Sequence, residues 1–371
     1  MTRRTGAAAL AFAGCLLLPS CSPAPREVAQ DPSAVKQEYL DLTQKAMAEV
    51  RAWSSADGSV ADPRPVWAER LERFAAAHPG APEAAEALSG VMQMRAALLD
   101  TDGFFKTYDL MLRTCPDAAA VAGVFPQVSA MRMAEAGGRA AIESMDYGIK
   151  QRAWRRAAPG IVADMQRAMK ATKTASTIAA AEFTIALSWY RFDVDLRKAL
   201  EHFKIVAEQY PTSANAEASR GYIDEIERLG PGHPAPDFET VSIDGAKASL
   251  SSLRGKIVLL DFWATWCQPC MNELPSLKRA YERFHAEGFT IVGVSADTDK
   301  AALNRFVAKE RMRWPVIVAD ASGLGPADPI FRAYNVQAIP MSYLIDRSGL
   351  IRGRALFGAE VERTVGELIE K

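Results

Sequence analysis

The sequence predicts two joined folds. Residues 33–230 read as an all-α domain, and residues 231–371 as an α/β domain whose mixed sheet carries helices on both faces. Three observations carry this. From Ser33 to Leu229, Ala is abundant, apolar residues recur at spacings of three and four, and β-branched runs are scarce, which is the helical period. Leu229-Gly-Pro-Gly-His233-Pro-Ala-Pro236 then interrupts both helix and strand and marks a boundary. Beyond it, short apolar runs alternate with helical spacing and end in a hairpin, the element order of a mixed sheet.

The bulk numbers narrow the class. Of 371 residues, 49% are hydrophobic and 24% charged, which is ordinary globular usage and excludes a disordered or fibrous chain. Lys plus Arg is 44 against 45 Asp plus Glu, so nothing suggests a phosphate-neutralising surface, and nucleic acid is not an expected partner. After residue 20 no apolar run reaches the roughly 18 residues of a membrane span.

In the N-terminal part the spacing predicts helices over Ala34–Val50, Val66–Ala77, Glu83–Leu99, Phe104–Arg113, Ala118–Met133, Thr174–Tyr190, Leu196–Gln209 and Ser213–Arg228. Glu135–Ala171 carries no clear pattern. Pro63, Pro65, Pro79, Pro116 and Pro211 punctuate these helices. A weak repeat is visible in His78-Pro79, Cys115-Pro116 and Tyr210-Pro211, each closing an apolar helix and preceding an Ala-rich one. Ala199-Leu200…Phe203…Tyr210-Pro211…Ala214…Ala218 is similar to a tetratricopeptide unit, although the spacing of the prolines is irregular. Two roles stand for such a helical array: docking a protein partner, or serving as a spacer or dimerisation domain. Cys115, alone before Pro116, reads as a buried small hydrophobe.

In the C-terminal part Ile257–Trp263 is a buried central strand, Cys270–Glu287 a helix, Phe289–Ser295 a second buried strand, Lys300–Arg311 a helix and Pro315–Ala319 a short strand. Met341–Ile345 and Ile351–Leu356 flank Arg347-Ser348-Gly349 as a hairpin, and Val361–Ile369 closes the chain as a helix.

The start of the chain reads as a targeting segment. Arg3 and Arg4 precede the apolar run Ala7–Leu18, which is of signal-peptide length. Leu18-Pro19-Ser20-Cys21 resembles the lipobox of bacterial lipoproteins. That resemblance implies cleavage after residue 20 and lipidation of Cys21, with residues 21–32 as a tether. Phe12-Ala13-Gly14-Cys15 is a poorer lipobox, and cleavage without lipidation or an uncleaved anchor are the other readings. The expected location is the cell envelope, on the periplasmic side, with the chain held to the membrane by its lipid.

Five cysteines are present, and Cys267 and Cys270 form a Cys-x-x-Cys pair. A zinc site would need two further ligands, and none of the four histidines has ligand spacing, so no metal or cofactor is expected. Phe262-Trp-Ala-Thr-Trp-Cys267-Gln-Pro-Cys270 resembles the active site of thioredoxin-fold proteins. Met271-Asn-Glu-Leu-Pro275, the entry Pro234-Ala-Pro-Asp-Phe238 and Tyr334-Asn-Val-Gln-Ala-Ile339-Pro340 make residues 232–371 similar to the TlpA/ResA group of membrane-tethered bacterial thiol-disulfide reductases.

The residue types suit that chemistry. A thiolate, not a thiol, attacks a disulfide. Cys267 falls between strand and helix, where unpaired N–H groups and the helix dipole favour a negative sulfur. Cys270, three residues on, is placed to resolve the mixed disulfide. Asp261 lies in an apolar strand, so burial is expected to raise its pKa and make it a proton acceptor for Cys270; a strand-end Asp paired elsewhere is the plainer alternative. Glu273 matches a position where the group carries a Glu that tunes proton transfer, and it also suits the first turn of a helix simply by complementing the dipole. The resemblance implies a cis Ile339–Pro340 bond facing the dithiol, with Ile339 free to pair with an extended substrate; Trp266 is expected at the substrate rim. Met341 follows this proline where many relatives have Thr.

The expected function is therefore an exported, lipid-anchored thiol-disulfide oxidoreductase acting as a reductase. The resemblance implies exported Cys-containing proteins, apocytochrome c among them, as substrates, and a membrane electron donor of the DsbD/CcdA kind. Two alternatives stand beside it. One is a peroxiredoxin-like peroxidase, disfavoured because Thr265 stands two residues before Cys267 rather than three and no Pro precedes it at the right distance. The other is a helical adaptor with an accessory redox domain.

Overall fold

The computed structural model describes residues 31–55, 61–318 and 328–370. The leader, Cys21 and most of the tether lie outside the described residues.

The N-terminal domain is all-α over its described residues: α1 (Pro32–Ser54), α2 (Arg64–Ala77), α3 (Pro82–Leu98), α4 (Thr101–Thr114), α5 (Ala119–Gly123), α6 (Phe125–Glu143), α7 (Tyr147–Ala171), α8 (Ala175–Tyr190), α9 (Leu196–Gln209) and α10 (Ala216–Leu229). Local chemistry sets the starts. Asp31, Asp100, Asp146 and Asp195 each accept a backbone N–H in the first turn of α1, α4, α7 and α9. The weak proline repeat has a geometric counterpart. His78, Cys115 and Tyr210 cap α2, α4 and α9 with nearly the same backbone, φ −126°, −138° and −127° and ψ 57°, 48° and 52°. The proline that follows forbids the α conformation at each of these residues, so the helix must stop and turn. Cys115 is buried among Ala75, Leu112 and Val121.

Two expectations need correction here. Ala118–Met133 is not one helix: Pro126 has no N–H and opens a new helix, α6, after the short α5. The unpatterned Glu135–Ala171 stretch is helical, as the end of α6 and all of α7. Gly138 interrupts α6 at φ 63° and ψ −163°, and α7 runs through Pro159; these two breaks hid the period.

The C-terminal domain is a mixed five-stranded sheet with helices on both faces. Its elements are β1 (Glu239–Val241), β2 (Lys247–Ser249), β3 (Ile257–Trp263), α11 (Gln268–Phe284), β4 (Phe289–Ser295), α12 (Lys300–Glu310), β5 (Val316–Val318), α13 (Pro329–Ala333), β6 (Met341–Ile345), β7 (Ile351–Arg354) and α14 (Ala359–Ile369). Strand order is β5-β4-β3-β6-β7, with β3, β4 and β5 parallel and β6 and β7 antiparallel to their neighbours. β3 and β4 are buried at every position, as centre strands covered on both faces must be. Phe262 meets Phe331 of α13, and Trp263, next along the strand and so on the other face, meets Phe306 of α12. The hairpin β1–β2 and the short α13 have no counterpart in the sequence reading; each is too brief to show a period. β7 ends at Arg354 rather than Leu356, because Ala355 turns to φ 48°.

The Gly/Pro cluster is not a loose hinge. Gly232 donates to the Ile351 carbonyl, Ile351 to His233 and Ala235 to Gly349, so the connection is stitched to the sheet edge. The two domains also meet through a buried polar knot. Glu225 of α10 accepts from Arg354 at 2.6 Å, from the Tyr190 hydroxyl at 2.6 Å and from Asn335 at 2.7 Å. Arg155 pairs with Glu360 at 3.1 Å, and the Tyr147 ring stands edge-on to Phe357 with centroids 5.0 Å apart.

Candidate active site

β3 delivers the chain to the site. Its last residues pair with Ser295 on one side and Met341 on the other, and the chain then turns through Ala264-Thr265-Trp266 into α11. Cys267 is the N-cap of α11, at φ −83° and ψ 98°, and the Cys270 N–H donates to its sulfur over 3.2 Å. A donor that would otherwise be orphaned at a helix start is thereby aimed at Sγ, and it favours negative charge there. The two sulfurs are bonded, 2.03 Å apart. Helix α11 begins at Gln268 rather than Cys270, with Pro269 in its first turn, where a missing N–H costs nothing. It continues through Pro275.

Asp261 on β3 and Glu273 on α11 are both buried, at 8% and 6% exposure, and the Glu273 charge acts on Asp261. Asp261 sits on β3 between Gly293 and Ser342, and among the described residues its side chain has no hydrogen-bond partner. Burial first, and the neighbouring Glu273 charge second, push its carboxyl up to about 7. Glu273 is also pushed up, chiefly by burial, while the Gly358 N–H donates to its Oε2 at 2.6 Å and favours the charged form. Asp146 and Arg152 of the helical domain act on it too, in opposite directions.

The Ile339–Pro340 bond is cis. Met341 pairs with Phe262 in antiparallel register, which places Pro340 at the end of β3 from which the cysteine turn emerges. Among the described residues, Gln337, Ala338 and Ile339 make no backbone hydrogen bond. Trp266 is 59% exposed on the rim, whereas Trp263 is buried.

One member of the site was missed in the sequence. Asp297, just past β4 and buried, accepts from the Thr265 N–H at 2.9 Å, the Thr265 hydroxyl at 2.5 Å and the Ser295 hydroxyl at 2.7 Å. It ties the loop before Cys267 to the neighbouring strand. A charged residue just past an apolar strand was the available signal, related to but weaker than the charged residue within a strand that singled out Asp261. Thr265 therefore spends its hydroxyl on Asp297, which argues against a peroxidatic role beside Cys267.

The chain is similar to several known proteins. The AhpC/TSA family model matches residues 231–354. Thiol-disulfide oxidoreductase ResA of Bacillus cereus is 31% identical over 152 residues, covering 41% of this chain and 84% of the relative. The protein of the same name from Bacillus subtilis is 33% identical over 125 residues, covering 34% and 66%. A crystal structure of the thioredoxin domain of a thiol-disulfide oxidoreductase from Bacteroides vulgatus is 28% identical, covers 38% of this chain and 99% of its own, and superposes with a TM-score of 0.36.

Proposed function

We propose, from the premise that this chain belongs through its C-terminal domain to the ResA family of thiol-disulfide oxidoreductases, that it is an exported disulfide reductase. In the reduced enzyme the Cys267 thiolate attacks a substrate disulfide. A Cys267–substrate bond forms as the substrate S–S bond breaks, and the first substrate sulfur leaves and takes a proton. Cys270 then gives its proton to Asp261 and attacks Cys267 Sγ. The Cys267–Cys270 disulfide forms, and the second substrate sulfur leaves as a thiolate that takes the proton held by Asp261. Two electrons have passed from the enzyme dithiol to the substrate, and a membrane thiol-disulfide carrier of the DsbD/CcdA kind returns them. Substrates are exported Cys-containing proteins, apocytochrome c among them.

The observation that carries the reading is the Cys267–Cys270 pair itself: a sulfur at a helix N-terminus with a backbone N–H on it, its partner one turn on and bonded to it. Trp266, Ile339 and Pro340 form the substrate edge, Ile339 offering an unpaired backbone to an extended segment. Residues 1–20 serve as the export signal, Cys21 as the lipidated residue, 21–32 as the tether, 33–230 as the helical domain and 231–371 as the redox domain.

A Cys270→Ser variant in cells is expected to accumulate mixed disulfides through Cys267, and the attached proteins identify the substrates. Absence of any trapped partner under conditions where Cys267 is reduced counts against the reading. Cys21→Ala is expected to move the protein from the membrane to the soluble fraction.

A further inference from the structure

A cleft of about 820 Å³ opens between the helical domain and the cis-proline loop. Gly221 and Tyr222 of α10 form one wall, Ala338 and Pro340 the other, with Phe192 and Phe357 at one end. The second wall includes Gln337 and Ala338, which with the neighbouring Ile339 make no backbone hydrogen bond among the described residues. Ile339 does not itself line the cleft but stands between two residues that do, Ala338 and Pro340. Its walls are held in register, because the Glu225 carboxylate of α10 accepts from Asn335, where the loop begins, and from Arg354, where β7 ends. Phe192 sits at φ 54°, a conformation non-glycine residues adopt at a cost, and its ring stands edge-on to Phe357 with centroids 6.2 Å apart. Aromatic lining close to an unpaired stretch of backbone suits an extended peptide.

We propose that this cleft holds the polypeptide flanking the substrate's reacting cysteine. The helical domain then forms half of the substrate site, and the enzyme favours extended polypeptides with an apolar or aromatic residue near the disulfide over small disulfides. This deepens the reductase reading and rests on it. The backbone edge selects an extended main chain, and the aromatic rings select apolar side chains.

Gly221→Trp in the full chain tests it. Gly221 lines the cleft and a side chain begun there meets nothing within 4 Å, so an indole has room while α10 gains helix propensity. Turnover is measured with dithiothreitol as reductant on two substrates: an unstructured peptide with one disulfide beside aromatic residues, and oxidised glutathione. The ratio of kcat/KM for the peptide to that for glutathione is expected to fall about tenfold, mainly through the peptide KM. Ala218→Trp, three residues earlier on the same wall, is expected to act alike. A ratio unchanged in both variants overturns the cleft proposal, as does an equal loss on both substrates. An intact ratio together with loss of self-association would assign the cleft to a second copy of the chain and overturn it too. A wild-type chain that reduces neither substrate overturns the reductase reading, and this inference with it.

Discussion

Replacing Asp261 with Asn should make the oxidised protein more stable at high pH while slowing its reaction. In the folded chain this carboxyl titrates near 7, against 3.8 when solvated. Between these values the native state holds a proton that the unfolded state has released, so stability falls as pH rises through this window. The gap of about three units, at 1.36 kcal/mol each, corresponds to about 4 kcal/mol of stability present below pH 4 and absent above pH 7. Asn removes the titration. Urea unfolding of the oxidised wild type and variant from pH 4 to 8.5 should therefore diverge, the variant gaining about 4 kcal/mol relative to the wild type across the window. Any constant offset from the amide is common to all pH values and cancels in the slope. A pH-independent difference would refute the assignment of a raised pKa to Asp261. Catalysis should move the other way: with no proton acceptor for Cys270, disulfide-reducing kcat should fall about 100-fold.

The other outcomes are as concrete. Glu273→Gln removes the like charge that helps raise Asp261, so the pH midpoint of kcat should move down; an unmoved midpoint would leave Asp261 governed by burial alone. Asp297→Ala strips three donors of a buried acceptor and should cost about 3 kcal/mol of stability, read by denaturant unfolding, and lower kcat by loosening the Thr265 loop. Cys267→Ser should abolish disulfide reduction outright, whereas Cys270→Ser should leave a single attack that ends as a stable mixed disulfide, visible by mass spectrometry.

The candidate C-terminal site was proposed from the sequence because its residues form a local motif. Strand, turn, cysteine and helix follow one another within about twenty residues, and Asp261 and Glu273 lie on either side of that turn. Asp297 was not legible in the same way. It reaches Thr265 only because β4 lies parallel to β3 with Ser295 opposite Trp263. The helical domain shows the opposite balance. Its period announced helices, but Gly138 and Pro159 concealed where α6 and α7 run.

By itself, the sequence determined the thioredoxin-like fold of the C-terminal part, the helical character of the N-terminal part and the turns at His78, Cys115 and Tyr210, since each depends on residues close together in the chain. Only the tertiary structure decided that the helical domain reaches the candidate site. Glu225 reaches Asn335 and Arg354, and Asp146 and Arg152 act on Glu273, across gaps of more than a hundred residues. Such contacts are set by how two finished domains pack together, and no periodicity or motif in either one records them.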